Sequence, residues 1–176
     1  MAATAHHTSP EAGPPEAPRL RGSLATLASG ELTNAPTRSK LLRIVRLAAE
    51  TFDDCLAAAT VEGHDGEVCT NHAAYDLDQA QHRSGAGPSA VALQSGRPVR
   101  VDAIAACAWT EFRRAAAENR IASSLSLPLL FDDVAIGVLN LYSRRPGAFA
   151  GREAAAAAFA AAAANLLGAT GPRPRR

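Results

Sequence analysis

SSLSLPLLFDDVAIGVLNLYSRRPGAFAG, residues 123–151, holds two strands, a tight turn and the start of a helix in one uninterrupted run. Leu125, Leu127 and Leu129 alternate with Ser124, Ser126 and Pro128, the period of two that gives a strand one apolar and one more polar face. Asp132 and Asp133 make the turn, because short acidic side chains tolerate the backbone that a tight reversal needs. The next strand, 134–142, is apolar on both sides, with Val134, Ile136, Val138 and Tyr142 on one and Ala135, Leu139 and Leu141 on the other. Such a strand belongs in the middle of a covered sheet.

Moving outward, Leu20, Leu24, Leu27 and Ala28 fall at helical spacing ahead of a loop at Asn34-Ala35-Pro36. Leu41, Ile44, Val45, Ala48 and Phe52 form one apolar helical stripe, capped by Thr37 or Ser39 and ended by Asp53-Asp54. Residues 55–62 and 67–74 are expected as two strands around Gly63-His64-Asp65-Gly66, whose Asp-Gly suits a hairpin turn. A Gly- and Ser-containing connection spans 75–97 and includes a helix from Pro88 to Gln94, stopped by Ser95-Gly96. A short strand at 97–102 follows, then a helix over 109–119 with Trp109, Phe112 and Ala116 turned inward. The alanine-rich segment 152–168 has high helix propensity but buries little area. It is expected to pack on the sheet or on the Leu41 helix and to extend into a bundle with a second chain.

With 176 residues, 47% of them apolar, the chain holds one domain with a substantial core. That domain is placed at 37–170, after an N-terminal extension (1–36) that is mostly disordered or partly helical and before a basic tail (171–176). Eighteen basic against seventeen acidic side chains leave a net charge of +1, so no global field draws the protein to nucleic acid or an acidic membrane. The N-terminal segment, with His6-His7, lacks the basic start and apolar core of a secretory signal, and no run reaches transmembrane length. A cytoplasmic protein with three reduced cysteines is expected.

The order strand, Pro-Leu, acidic turn, Ile-Gly-Val-Leu-Asn-Leu-Tyr, then Pro-Gly-Ala-Phe before a helix resembles the second half of a GAF domain. The likeness runs back through DLDQAQHRSGAGPSAVALQSGRPVRVDAIAACAWTEFRRAAAENRIASSLSLPL (76–129), which is similar to the GAF domains that precede ANTAR RNA-binding domains in bacterial antitermination regulators. This resemblance implies an α/β (α+β) fold with a mainly antiparallel sheet of five or six strands and helices on both faces. It also implies a non-enzymatic sensory or regulatory module that binds a small molecule or a signalling partner and pairs with a second copy through its terminal helices. Without an ANTAR domain in these 176 residues, nucleic acid is not an expected partner.

One branch of the GAF family resembles reductases of free methionine sulfoxide that work through clustered cysteines, which makes a redox enzyme the alternative. Spacing argues against it: with the hairpin turn at 63–66, Cys69 falls opposite about residue 60, too far along from Cys55 for a disulfide, and Cys107 lies in the loop before Trp109. His64, His72 and His82 lack the spacing of a zinc site. His64 belongs to the turn surface. His72, on a strand, or His82 can point into a pocket or act as an axial haem ligand, the plainer reading being an exposed or hydrogen-bonded histidine. Ser84-Gly85-Ala86-Gly87-Pro88 has glycines before a helix but no Lys-Ser/Thr after it, so it is no phosphate loop. Where the family carries Gly-Glu-Gly-Pro followed by Cys, this chain has Ala86 and Ser89. The signatures of cyclic-nucleotide binding and bilin attachment are missing too, and no cofactor is expected. By analogy with the family, Gln81, His82, Ser84, Trp109, Ser124 and Ser126 are the candidates to line a cavity over the sheet, Trp109 filling the core if that cavity is closed.

Overall fold

The computed structural model describes residues 16–53, 55–64 and 66–168. The tail with His6-His7, residues Asp54 and Asp65, and the basic tail 171–176 lie outside the described residues. Five strands, β1 (Leu56–Val61), β2 (Val68–Cys69), β3 (Val99–Val101), β4 (Ser123–Phe131) and β5 (Val134–Ser143), form one sheet in the order β2-β1-β5-β4-β3. All neighbours are antiparallel, and β5 sits at the centre with β1 and β4 on its two sides. Asp132 and Asp133 join β4 to β5 with φ angles of 50° and 61°, the left-handed pair whose twist matches that of the strands it connects.

One detail of this hairpin differs from simple alternation. Leu129 faces Gly137 but Leu130 faces Ala135, so Ile136 is an extra residue, a β-bulge. The bulge turns Ile136 toward the core that holds Leu139 and Leu141, away from the side shared by Val138 and Tyr142. Next to it, Gly137 lies so close to β1 that an added Cβ would collide with the Thr60 carbonyl oxygen. Its lack of a side chain is what lets the two strands approach.

Helices α2 (Thr37–Thr51) and α6 (Glu153–Gly168) cover one face of the sheet, and α1 (Glu16–Ala28) packs on both of them. The stripe Leu41, Ile44, Val45, Ala48 and Phe52 is buried there against Leu125, Leu127, Leu129, Leu139 and Leu141. Phe159 meets Phe52 edge-on at 5.9 Å, while Ala156, Ala160, Ala163 and Ala164 let α6 close onto the sheet and α2. Neither Thr37 nor Ser39 caps α2. Pro36 occupies the cap position without a side-chain bond, and Thr37 is the first helical residue. Inside this face Lys40 is fully buried and its Nζ donates to the Leu166 carbonyl at 3.2 Å, with burial pulling its pKa down. At the edge, Asp53 gathers Arg152, Arg19 and Arg145, joining α1, the end of α2 and the approach to α6. The hydrogen bond from Arg152 is the main cause holding the Asp53 pKa below the usual carboxylate range.

The other face carries α3 (His72–Ser84), α4 (Pro88–Ser95), a short 3₁₀ turn (Ile104–Ala106) and α5 (Thr110–Glu118). Here the expected strand 67–74 shrinks to the two residues of β2, and His72 opens a helix instead of lying on a strand. The cause is local: the Asn71 side chain accepts from the Ala74 N–H at 3.0 Å, Ala74, Leu77, Asp78 and Gln81 share the buried side, and left-handed Gly85 ends the helix. The hairpin register pairs Cys69 with Ala58, two residues from the expected position. Trp109 occupies the position before α5 without a side-chain bond and is only half-buried, while Phe112 and Ala116 are fully inside. Among the described residues, no helix is long and apolar enough to cross a membrane.

Candidate functional site

Alternation along β5 and β4 gives this second face an unusual floor. Asn140 and Tyr142 point to it from β5, and their register partners Ser126 and Ser124 point to it from β4. All four are at most 1% exposed, as is Ala58 of β1, which lies opposite Asn140. Burying so many polar groups is costly unless they find partners. Helices α3 and α4 supply them for Tyr142 and for the Asn140 amide nitrogen.

Asp78, on the inward side of α3, accepts hydrogen bonds from the Tyr142 hydroxyl and from Asn140 Nδ2, the latter at 3.1 and 3.3 Å to its two oxygens. One turn on, Gln81 Nε2 donates to the Tyr142 oxygen at 2.9 Å, and Gln81 Oε1 accepts the backbone N–H of Ser89 at 2.9 Å. Ser89 Oγ in turn accepts from Asn140 Nδ2 at 3.0 Å. A side chain of α3 therefore caps the start of α4, and Gly87 is needed beside it because a Cβ there would run into Gln81. This also accounts for the Gly-Ala-Gly-Pro stretch: the amide at that helix start is already taken by Gln81.

Burial dominates the electrostatics. It pushes the Asp78 carboxyl up to about 7, with Glu67 adding to the rise and the bonds from Tyr142 and Asn140 opposing it. Burial and the Asp78 charge raise the Tyr142 hydroxyl as well. Three polar atoms of the floor have no partner among the described residues: Ser124 Oγ, Ser126 Oγ and Asn140 Oδ1.

Above Asp78 and Asn140 lies a cavity of about 510 Å³, within the range usual for small-molecule sites. The end of β1, the β1–β2 connection, α3, α4 and the middle of β5 enclose it. Among the described residues its acidic groups are Asp78, Glu67 and Glu62, its histidines are His64 and His82, and Val138 and Leu93 form apolar wall, while Val61 borders it but packs its side chain into the core on the other face. Glu67 is held by Gln79 at 2.8 Å, and burial raises its pKa while nearby His82 pulls it down.

The residues expected from sequence divide accordingly. Gln81 is buried in the cavity lining and His82 is exposed at its rim. Ser84 is exposed and donates to the Ala80 carbonyl at 2.8 Å, closing the end of α3. Ser124 and Ser126 are fully buried and outside the cavity lining, and Trp109 packs against the cluster of Phe112 and Tyr142, also outside it. His72 stands outside, its imidazole 3.5 Å from Asp76. Sequence reasoning missed Asp78 and Asn140, although Asn140 interrupts an otherwise apolar strand and Asp78 follows Leu77 on the inward side of α3.

None of the three cysteines forms a disulfide or lines the cavity. Cys55 belongs to the α2–α6 side of the sheet and Cys69 to the opposite side, so the sheet itself separates them. Burial, Asp78 and Glu67 all raise the Cys69 thiol, which keeps it protonated. Among the described residues no group of His, Cys, Asp and Glu is arranged to hold a metal ion.

Among solved structures, the chain is similar to a free methionine-R-sulfoxide reductase from Neisseria meningitidis in complex with its substrate, at 17% identity, 94% of this chain, 98% of that one and a TM-score of 0.62. It is also similar to the GAF domain of a phosphoenolpyruvate-protein phosphotransferase from Acinetobacter (13%, 90% and 98%, 0.60) and to a Staphylococcus aureus fRMsr in complex with substrate (15%, 86% and 95%, 0.59). At such identities the likeness shows the fold alone. No curated protein matches the sequence. The family model for the GAF domain, however, matches residues 35–167, from the residue before the α2 cap to the end of α6, and on that match the chain belongs to the GAF domain family.

Proposed function

We propose that this GAF domain is a non-enzymatic sensor that takes a small molecule into the cavity between β1, β5, α3 and α4. The observation that carries the reading is the joining of Asp78, Asn140, Gln81 and Ser89 into one buried cluster at the cavity floor. A ligand touching Asp78 or Asn140 disturbs bonds that tie α3, α4 and β5 together, so occupancy changes how those elements sit on one another. The output is a cytoplasmic signalling partner, and the α1, α2 and α6 side joins two copies of the chain.

Free methionine sulfoxide reduction is the second reading, favoured by the likeness to two reductases holding substrate. It needs a thiolate within reach of the ligand. With no cysteine in the cavity lining and Cys69 held protonated, the sensor reading is the better supported. Native mass spectrometry of protein from its source cells is expected to show a retained small molecule or a dimer. Turnover of free methionine sulfoxide that disappears in Cys69→Ser would instead establish the enzyme.

A further inference from the structure

We propose that the cavity floor is a cation subsite, in which Asp78 and Asn140 Oδ1 receive the ammonium group of a small organic amine whose hydrocarbon part lies along Val138 and Leu93. The inference rests on the ligand-binding reading above and names the class of ligand.

Charge is the first argument. Three carboxyl groups, Asp78, Glu67 and Glu62, line the cavity, and no lysine or arginine does among the described residues. Asp78 is 5% exposed and takes part in none of the ion pairs between described residues, so its charge is stabilised only by hydrogen bonds from neutral groups. A buried carboxylate in that state lacks a counter-ion.

The second argument is independent of charge. Asn140 is 1% exposed, and its amide orientation is fixed, since Nδ2 must face the Asp78 carboxylate and Ser89 Oγ. Its Oδ1 is therefore the acceptor left over, on a residue that lines the cavity. An orphaned acceptor next to an uncompensated carboxylate calls for a donor-rich cation, and an ammonium group, with three N–H donors, satisfies both. Among the described residues, the carboxyl groups of the cavity are not grouped so as to hold a metal ion.

Proton linkage gives the subsite a signature. The groups around Asp78 are Tyr142 and Asn140 of β5, Cys69 of β2, Glu67 before it, Gln81 and His82 of α3, and Ser89 of α4. With its pKa pushed up to about 7, Asp78 is protonated below that pH and must lose the proton to hold a cation. Amine affinity accordingly weakens by about tenfold from pH 8 to pH 6.

The test is calorimetric titration of the full chain with phenethylammonium chloride and, in parallel, with 3-phenylpropionate, which has the same hydrocarbon and the opposite charge. Saturable binding of the amine, none of the acid, and at least tenfold weaker amine binding by Asp78→Asn are expected. Equal amine affinity in a folded Asp78→Asn, or no saturable amine binding by the wild type, overturns the subsite. Binding of 3-phenylpropionate alone overturns it too, while leaving the cavity as a ligand site. Should Asp78→Asn fail to fold, the wild-type pH profile and Glu67→Gln carry the test, and amine affinity unchanged in both overturns the proposal.

Discussion

The two faces of the sheet are built from the same strands and opposite chemistry. Leu125, Leu127 and Leu129 of β4 and Leu139 and Leu141 of β5 look toward α2 and α6, into a mainly hydrocarbon cluster. One residue along each strand, Ser124, Ser126, Asn140 and Tyr142 look the other way, where Asn140 and Tyr142 meet the Asp78 carboxyl and Asn140 borders the cavity. Close-packed apolar surface stabilises a fold whatever the domain does. Buried polar groups with incomplete partners cost stability, and a fold keeps them where something is to be recognised. Both sides carry buried apolar clusters, the second around Leu77, Ile104 and Phe112, and only the second adds the buried polar groups on which the proposed recognition rests.

The largest effect expected from this contrast is on the apolar side. Leu127→Ala removes a fully buried side chain and should cost about 3 kcal/mol in urea denaturation. A cost below about 1 kcal/mol would mean that this face contributes little to stability.

On the polar side the expected effect is on pH dependence. Folded Asp78 keeps its proton up to about pH 7, whereas the unfolded carboxyl releases it near the ordinary 3.8, so the folded state holds the extra proton between those values. Stability from this group is full below the unfolded pKa and declines as pH rises to about 7, a loss of roughly 2 kcal/mol between pH 5 and pH 8. In Asp78→Asn that decline should flatten, which denaturation at the two pH values would read. A wild type that gains stability over the same interval would contradict the buried carboxyl.

The smallest effect sharpens the comparison most, because it sits next to Leu127. Ser126→Ala deletes a hydroxyl with no partner among the described residues and should leave stability within about 0.5 kcal/mol, or raise it slightly. A cost above about 1 kcal/mol would reveal a bound group at that position.

Much of this was legible in the sequence. Period-two alternation, the Asp132-Asp133 turn and the stripe from Leu41 to Phe52 read directly as β4, β5 and α2, because each pattern is local and repeats with the period of its element. The start of α3 was not, since Val68 and Cys69 read as the beginning of a strand and the helical signal, an Asn71 cap ahead of Ala74, Leu77 and Gln81, began only two residues later. The bulge at Ile136 was hidden for a different reason: it depends on how β5 is seated against two neighbours. The site was hardest. Gln81 and the polar side of β4 could be named, but that Asp78 reaches Asn140 across 62 positions follows from the docking of α3 on β5, which no spacing within either segment encodes.

The strand order carries a consequence for how the chain comes together. β5 is the last strand made and the central one, so during synthesis β1 has only the two residues of β2 to pair with until the ribosome has passed residue 143. The β4–β5 hairpin closes locally and quickly, whereas docking β1 and α2 onto it must close a loop of most of the domain. Until that happens α2 has no sheet to cover. Folding of this domain is therefore a late event that waits on the hairpin read first from its sequence.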